Sequence, residues 1–579
     1  MFIKERNKLI LPSKDIRTRI ALIYPNIYEL GMSSYTIHLL YSLFNSYSGI
    51  RCERFFFPNQ KNKHIPLKSI DTGCTIDNFD VIAFSIHYEL DYLNVLWLME
   101  NMHIPHLGKD RGESQFPLII AGGSAVKSNP LLLLPFIDVL IFSDLEPIFE
   151  DMCKSLAKVS EENARSRVLD ELHKLPNIIV SNYALKHLSS ESPEKSFFPK
   201  FRTPLKVLDD FDCPIKQIIP EFQSPNHSLV FGETFLIEIN RGCPNGCRFC
   251  LTGYINRPLR NRSLPQIKKL IDDSIIHTGA QKITLIGSAV TDHPNFREIC
   301  HYIIEKDLEI MIPSVRIDKM TDETLLILRK GGVKSLTIAP ETGTDHLRYN
   351  LNKGICNNEI IEKCGKIFNF GFQSIKFYFL IGLPFEKRED LDGIVNLIKE
   401  ITQKVGKSLP KNGIQLSINP FIPKLFTPFS NYTEHYIDPK MEYLRTSEKF
   451  LRSELQNIPN VGVEFLNWKE ARMQTILSQL DNTFAHLILD FYNMGAKPVD
   501  LNNIDKKNDY IITKYLRSTQ DIFNLSIKTS SSIQSKQMNS IQRLIDIGFK
   551  KGYLSQELQL AKLGKIVGCE DNCYRCGIC

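Results

Sequence analysis

Short, continuous apolar runs of strand length alternate along this chain with longer stretches whose apolar residues fall at helical spacing. In the N-terminal part the runs are Arg19–Tyr24, Val81–Ser85, Leu118–Gly123 and Val139–Phe142, each bounded by turn residues. Helical spacing fills 33–47 and continues after Ser85 through Met102. A second series starts at Phe235-Leu-Ile-Glu-Ile-Asn240 and continues with Ile283–Ser288, Met311–Arg316, Ser335–Gly343, Ile375–Pro384 and Ile414–Pro423. A helix is expected from Leu264 to His277, and helical spacing returns over 439–455 and 470–492. Apolar strands separated by helix-length segments make a parallel sheet covered by helices. The expected fold class is therefore α/β: an N-terminal doubly wound domain, a central partial (β/α) barrel and a mostly α-helical C-terminal region. In both α/β folds ligands gather at the carboxyl ends of the strands.

Length and punctuation divide the 579 residues further. The expected units are a doubly wound domain over 1–200, a linker over 201–230, the partial barrel over 231–435, a helical domain over 436–560 and a cysteine-rich tail over 561–579. A net charge of +6, with no basic run to concentrate it, is a weak footprint for nucleic acid. The longest apolar stretch, 131–142, is interrupted by Pro135 and Asp138 and is too short to span a bilayer. The first residues lack a signal-peptide core. Half of the 14 cysteines fall into two metal-like clusters, so a reducing, cytoplasmic setting is expected rather than a disulfide framework.

The sharpest chemical signal is Cys243-Pro-Asn-Gly-Cys247-Arg-Phe249-Cys250, three cysteines spaced C-x3-C-x2-C. A four-iron cluster usually takes four thiolates, so a loop offering three leaves one iron open, as catalytic metal sites require. A zinc loop would be expected to present a second C-x2-C pair downstream, which is absent. With Phe249 directly before the third cysteine, the stretch resembles the signature of the radical S-adenosylmethionine (SAM) superfamily. That resemblance implies a [4Fe–4S] cluster that binds SAM at its open iron and cleaves it reductively, with a flavodoxin- or ferredoxin-like protein as electron donor. It also implies roles for the strand-end loops. Gly287-Ser288 stands where the family uses a Gly-Gly-Glu-like turn for the SAM amino group, although the acidic residue is missing. Ser314 and Arg316 would meet the SAM carboxylate or ribose, Glu341 the ribose, and Gly382-Leu383 the adenine.

The N-terminal loops resemble a cobalamin-binding domain. The D-x-H-x-x-G signature becomes Asn26-Ile-Tyr28-Glu-Leu-Gly31, so tyrosine replaces the histidine that binds cobalt, and a phenol is a poorer neutral donor than imidazole. Ser85, Gly122-Gly123 and the 143–146 turn ending in Glu146 stand where the nucleotide loop of cobalamin would be lined. Either cobalamin binds without a ligand from below, or the pocket is vestigial; a doubly wound domain with no cofactor stays open. The tail, Cys569-x3-Cys573-x2-Cys576-x2-Cys579, would hold an auxiliary iron–sulfur cluster or a structural zinc.

Taken together, segments 24–33, 84–90, 120–123, 253–260, 339–343, 352–354, 374–379 and the tail resemble one family of cobalamin-domain radical SAM proteins. The coverage runs from Arg19 to Cys579, weaker over 480–540. The resemblance implies a radical SAM enzyme, with cobalamin-dependent C-methylation as first expectation. A cobalamin-independent, methylthiotransferase-like reaction on RNA or protein is the alternative, followed by a non-enzymatic iron–sulfur redox or RNA-associated protein. The substrate stays unnamed, and no membrane association is expected.

Overall fold

A computed structural model describes residues 4–58, 66–112, 116–189, 208, 216–222, 227–438, 440–493, 545, 547–568 and 575–578. The chain forms two compact units. One comprises 1–206, 210–232 and 476–548; the other comprises 207–209, 233–475 and 549–579. Residues 436–560, read from sequence as one helical domain, are thus shared between the two.

The first unit is built on a six-stranded sheet of β1 (Thr18–Tyr24), β2 (Ile50–Phe56), β3 (Val81–Ser85), β4 (Leu118–Gly122), β5 (Val139–Ile141) and β6 (Ile178–Val180). The order is β2-β1-β3-β4-β5-β6, parallel throughout except for β6. From β1 the chain goes to one side for β2 and then crosses to the other for β3. That reversal opens a crevice at the carboxyl ends of β1 and β3, the usual ligand position in this architecture. Apolar side chains of the strands and the flanking helices, among them Ile20, Leu22, Val81, Ile120, Phe44 and Phe149, form its core.

Strand β2 escapes the apolar pattern because Arg51, Glu53 and Arg54 interrupt it. Arg54 is only 1% exposed and pairs with Glu5 at 2.8 Å and Asp71 at 2.7 Å. Glu5 arrives on the short strand Lys4–Arg6, which pairs antiparallel with Ile219–Glu221. A charge that reads as a solvated face is here a closed, buried ion cluster.

The second unit follows the expected strand–helix alternation. Its parallel strands are β7 (Phe235–Arg241), β8 (Lys282–Gly287) and β9 (Glu309–Met311), then β10 (Ser335–Glu341), β11 (Ser374–Ile381), β12 (Ile414–Pro420) and β13 (Val461–Phe465). The first three share a sheet with the antiparallel edge pair Arg260–Asn261, and the last four form another. A backbone bond from Val315 to Thr337, 2.9 Å, joins the loop after β9 to β10. One apolar cluster, including Ile237, Leu285, Ile310, Leu336, Phe377 and Leu416, is shared by strands of both sheets. The helix Leu264–Thr278 starts at Ser263, whose hydroxyl accepts from the Gln266 amide, and ends at Gly279 in the left-handed region. Strand β13, Val-Gly-Val-Glu-Phe, is too short and too mixed to stand out in sequence.

Two register shifts interrupt the ladders, between Ile286 and Gly287 in β8 and between Ile338 and Glu341 in β10. Both lie at carboxyl ends of strands, where a bulge redirects the following side chains.

Candidate functional site

At the end of β7 the chain turns through Gly242, φ +86°, into the cysteine loop. A Cβ there would lie 2.2 Å from the Asn256 carbonyl oxygen and 2.5 Å from that of Pro258, so only glycine allows the turn. The loop closes on itself through Cys250 N–H to the Cys247 carbonyl, 3.0 Å, and Gly253 N–H to that of Cys250, 3.2 Å. Burial pushes the Cys247 thiol up to about 12; the charge of Lys353 opposes this, whereas Cys250, Cys243 and Glu341 add to it. Cys250 is raised in the same way, by burial first. The two buried thiols, Cys247 and Cys250, therefore sit beside another cysteine, and deprotonating them requires a positive partner such as iron.

The donor set fits an iron–sulfur cluster. Asn245 supplies outer support, its Nδ2 donating to Cys243 Sγ at 3.5 Å and to Asp292 Oδ2 at 3.0 Å. Among the described residues no three His, Cys, Asp or Glu side chains converge as ligands on a single ion. A cubane gives each thiolate its own iron, so its ligands need not converge.

Around this loop the structure gathers most of the residues singled out from sequence. Phe249 packs in one apolar cluster with Leu347, Leu351, Leu383 and Phe421. Arg316 lies near Cys247; its Nη2 meets Asp318 at 2.8 Å, and its buried Nε has no hydrogen-bond partner among the described residues. Glu341 closes β10 at φ +70°, a sparsely populated conformation for a side-chain-bearing residue, and its Oε1 meets Lys353 Nζ at 2.6 Å. Gly382, φ +74°, donates its N–H to Glu386 Oε1 at 2.8 Å, and Tyr443 Oη donates to the same oxygen at 2.8 Å. Burial pushes the Glu386 carboxyl up to about 7. Ser288 and Ser314 are exposed on their loops. Gly287 has a reason in packing: a Cβ would stand 2.1 Å from Asn240 Oδ1. Asn240 in turn bonds Ala289 through both amide atoms and so shapes the turn.

Sequence reasoning missed Asp292. It ends the single turn Val290–Asp292, four positions beyond Ser288, and its Oδ1 lies 3.8 Å from Arg316 Nε and 3.7 Å from Lys319 Nζ. A Gly-Gly-Glu-like turn places its acid beside the glycine, whereas Asp292 follows on the next turn. Lys353 and Asn245 were also passed over as site residues: Asn245 is only a spacer of the cysteine motif and Lys353 only a member of segment 352–354, and the spacing reads the cysteines rather than the residues between them.

In the first unit the residues singled out near the carboxyl ends of β1 and β3 have partners of their own. Tyr28 begins the helix Tyr28–Met32, is buried, and donates its hydroxyl to Glu5 Oε1 at 2.7 Å. It belongs to the Arg54 ion cluster and is committed there. Asn26 donates to Asp91 Oδ1 at 2.8 Å. Gly31 and Gly123 are required by packing: a Cβ would stand 2.3 Å from the Phe56 ring and 2.2 Å from the Ile86 carbonyl oxygen. At Gly122 it would make only ordinary contact, 3.5 Å from Ile141, and Glu146 is buried. His87 is the residue sequence reasoning passed over. Ser85 Oγ lies 3.0 Å from its Nε2, Ser124 Oγ lies 3.3 Å from its Nδ1, and Tyr24 stacks on its ring at 5.9 Å. Burial, helped by the charge of Lys127, drops His87 to about 4, so it is a neutral imidazole at physiological pH.

Asp91 gives a pH prediction. Burial raises its carboxyl from 3.8 to about 7, against the hydrogen bonds from Asn26 and Asn94 that favour the charged form. A raised folded-state value stabilises the fold fully below pH 4 and loses that contribution as pH rises through about 7. Thermal melts should show Asp91→Asn, which keeps the Oδ1 acceptor, gaining on the wild type between pH 5 and pH 8. Parallel melting curves for both proteins would contradict this.

Of the four tail cysteines, Cys576 is buried with Tyr254 and Tyr553, whereas Cys569, Cys573 and Cys579 lie outside the described residues.

Residues 237–398 match the family model of the radical SAM superfamily, and residues 36–181 match that of the N-terminal domain of radical SAM proteins. The chain belongs to the radical SAM superfamily, enzymes that work with a [4Fe–4S] cluster and SAM. Among its relatives, an uncharacterized protein of Methanocaldococcus jannaschii is 28% identical over 502 residues, 87% of this chain and 96% of the relative. A tRNA-2-methylthio-N(6)-dimethylallyladenosine synthase of Fusobacterium nucleatum is 22% identical over 31% of this chain and 44% of its own length. The solved radical SAM methyltransferase TsrM of Kitasatospora setae, with cobalamin and a [4Fe–4S] cluster bound, is 10% identical at a TM-score of 0.47. That match covers 72% of this chain and 75% of TsrM. No helix among the described residues is long and apolar enough to cross a membrane.

Proposed function

We propose that Cys243, Cys247 and Cys250 hold a [4Fe–4S] cluster that cleaves SAM, and that the radical chemistry so begun ends in cobalamin-dependent methylation of carbon. The observation that carries the first part is the shared neighbourhood of the cysteine loop, Arg316, Glu341 and Lys353 at the carboxyl ends of barrel strands. When bound, the cluster supplies the electron that breaks a carbon–sulfur bond of SAM, chemistry that acid–base side chains cannot perform. The residues do the rest. Three thiolates leave one coordination position open; the guanidinium of Arg316, whose Nε makes no hydrogen bond among the described residues, offers a carboxylate a charged donor. Asp292 offers an ammonium group an acceptor beside the loop, and Glu341 a hydroxyl acceptor. Gly382 bares backbone for a flat base, with Leu383 and Phe249 on apolar ground beside it. A small reducing protein of the flavodoxin or ferredoxin kind would deliver the electron.

Cobalamin is assigned to the crevice at the ends of β1 and β3, with Asn26, Ser85, Gly122, Gly123 and Glu146 around it. With Tyr28 bonded to Glu5, that side chain is not a lower ligand to cobalt. Protein produced with corrinoid supply and then desalted is expected to retain a corrinoid spectrum at near-stoichiometric occupancy. Tyr28→Phe should leave that spectrum unchanged. Absence of any retained corrinoid at saturating supply would refute the cobalamin assignment and favour sulfur insertion instead. That second reading is supported by relatives named as tRNA and ribosomal-protein methylthiotransferases, which cover about a third of this chain.

The tail is assigned an auxiliary cluster. The double variant Cys569→Ser with Cys573→Ser, which leaves Arg575 in place, should lower iron per chain while the iron held by the triad remains. Zinc at full occupancy, with iron unchanged in that variant, would assign the tail to zinc instead.

A further inference from the structure

Between two of the three candidate cluster ligands sits Arg248, a charged residue that is 0% exposed. Its partners come from outside the loop. Nε meets Glu557 Oε2 at 3.2 Å, and Nη1 donates to the carbonyls of Tyr349 and Asn350 at 3.1 and 2.9 Å. Nη2 donates to the carbonyl of Lys565 at 2.7 Å. Glu557 is itself buried, on the helix Tyr553–Lys562, and its second oxygen is taken by Arg575 at 2.5 Å.

A second strap runs beside the first. Asn352 donates to the Gly246 carbonyl inside the cysteine loop and to the Val567 carbonyl, both at 3.0 Å, and accepts from the Val567 amide at 2.7 Å. Tyr254 donates to the same Gly246 carbonyl at 3.3 Å, and Arg257 donates to the hydroxyl of Tyr553 at 3.2 Å. Besides its own turn bonds, the cysteine loop takes its shape from these contacts. A polar network this deep is costly unless it is complete, which makes it sensitive to losing any member.

We infer that residues 553–567 form a clasp that sets the geometry of the cysteine triad, with Arg248, Glu557 and Asn352 as its positioning residues. The inference rests on the triad being the cluster site. A ligand loop held from behind keeps three thiolates at fixed separations while one iron stays open; a slack loop would let the cluster shift or escape. Outer partners of metal ligands typically affect affinity or activity by about 10–100-fold. The clasp belongs to a segment more than three hundred residues downstream of the loop, so C-terminal integrity becomes a condition for SAM cleavage.

The test compares reconstituted wild type with Glu557→Gln, Arg248→Lys and Asn352→Ala, and with Glu309→Gln, which removes only an exposed ion pair to Lys282. Three readouts are taken: far-ultraviolet circular dichroism, the rate of cluster loss to a chelator, and the electron paramagnetic resonance spectrum of the reduced cluster before and after SAM. The clasp variants are expected to keep the wild-type dichroism, lose the cluster about tenfold faster, and show a weakened spectral response to SAM. Glu309→Gln should match wild type throughout. Should Arg248→Lys fail to fold, Asn352→Ala still decides, since it touches the loop only through a backbone carbonyl. Clasp variants with wild-type retention and wild-type response to SAM would overturn the inference. A wild type that takes up no cluster would instead overturn the triad assignment beneath it.

Discussion

Replacing Cys247 by alanine is expected to abolish formation of 5′-deoxyadenosine from SAM under anaerobic, strongly reducing conditions. The loop offers three thiols, so loss of one leaves two ligands for a cluster that needs three to keep a single iron open. Cys247 is chosen because it is the middle cysteine of the loop, with Lys353, Cys250, Cys243, Glu341 and Arg316 around it. The loss should be all-or-none rather than graded, and visible absorbance of the reconstituted protein should fall with it. Chromatographic assay of deoxyadenosine decides the matter: an alanine variant that cleaves SAM at the wild-type rate would remove the triad from the mechanism. Arg316→Lys should behave differently. It retains the cluster but loses the planar fork, raising the SAM concentration needed for half-maximal cleavage by about tenfold.

Arg54→Met carries the largest expected effect on stability. The guanidinium lies over the Tyr41 ring at 4.6 Å and holds the carboxylates of Glu5 and Asp71, both buried. Tyr28 and Tyr41 add their hydroxyls to the same two acids at 2.7 and 2.9 Å. Removing the one cation leaves two acids facing each other without compensation. Breaking a buried pair from one side costs about 3–5 kcal/mol. Urea unfolding followed by intrinsic fluorescence should show the N-terminal unit melting first, at a lower midpoint. A variant unfolding like wild type would mean that water reaches the cluster and neutralises the loss. Because Tyr28 and β2 flank the crevice, corrinoid retention should fall in the same variant even though none of these residues is assigned to touch the corrin.

How much of this was legible beforehand follows the range of the interactions. Local pattern was sufficient for the strands that are apolar from end to end. Val81–Ser85 was read with its observed bounds, and Phe235–Asn240 to within one residue. The C-x3-C-x2-C spacing of Cys243, Cys247 and Cys250 was legible too, because three cysteines on one short loop need no tertiary structure to be recognised. Strand β2 was not legible, since Arg54 reads as solvated until Glu5 and Asp71 are seen to close around it from distant segments. Asp292 was missed because it ends the short turn four positions beyond Ser288, out of reach of a motif that looks beside the glycine.

By itself, then, the sequence determined the alternation of strand and helix and the spacing of the three loop cysteines, both properties of neighbours in the chain. It also marked Phe249, Arg316, Glu341 and Gly382 as strand-end residues, and the structure brings them to the same end of the barrel. Tertiary structure alone decided that Tyr28 bonds to Glu5 and that His87 stands neutral between two serines. It alone placed Glu557 behind the cysteine loop. Each of these is a buried polar contact between residues far apart in the chain. Burial turns such a contact from a weak surface pairing into a constraint, and burial is a property of the fold rather than of any stretch of sequence.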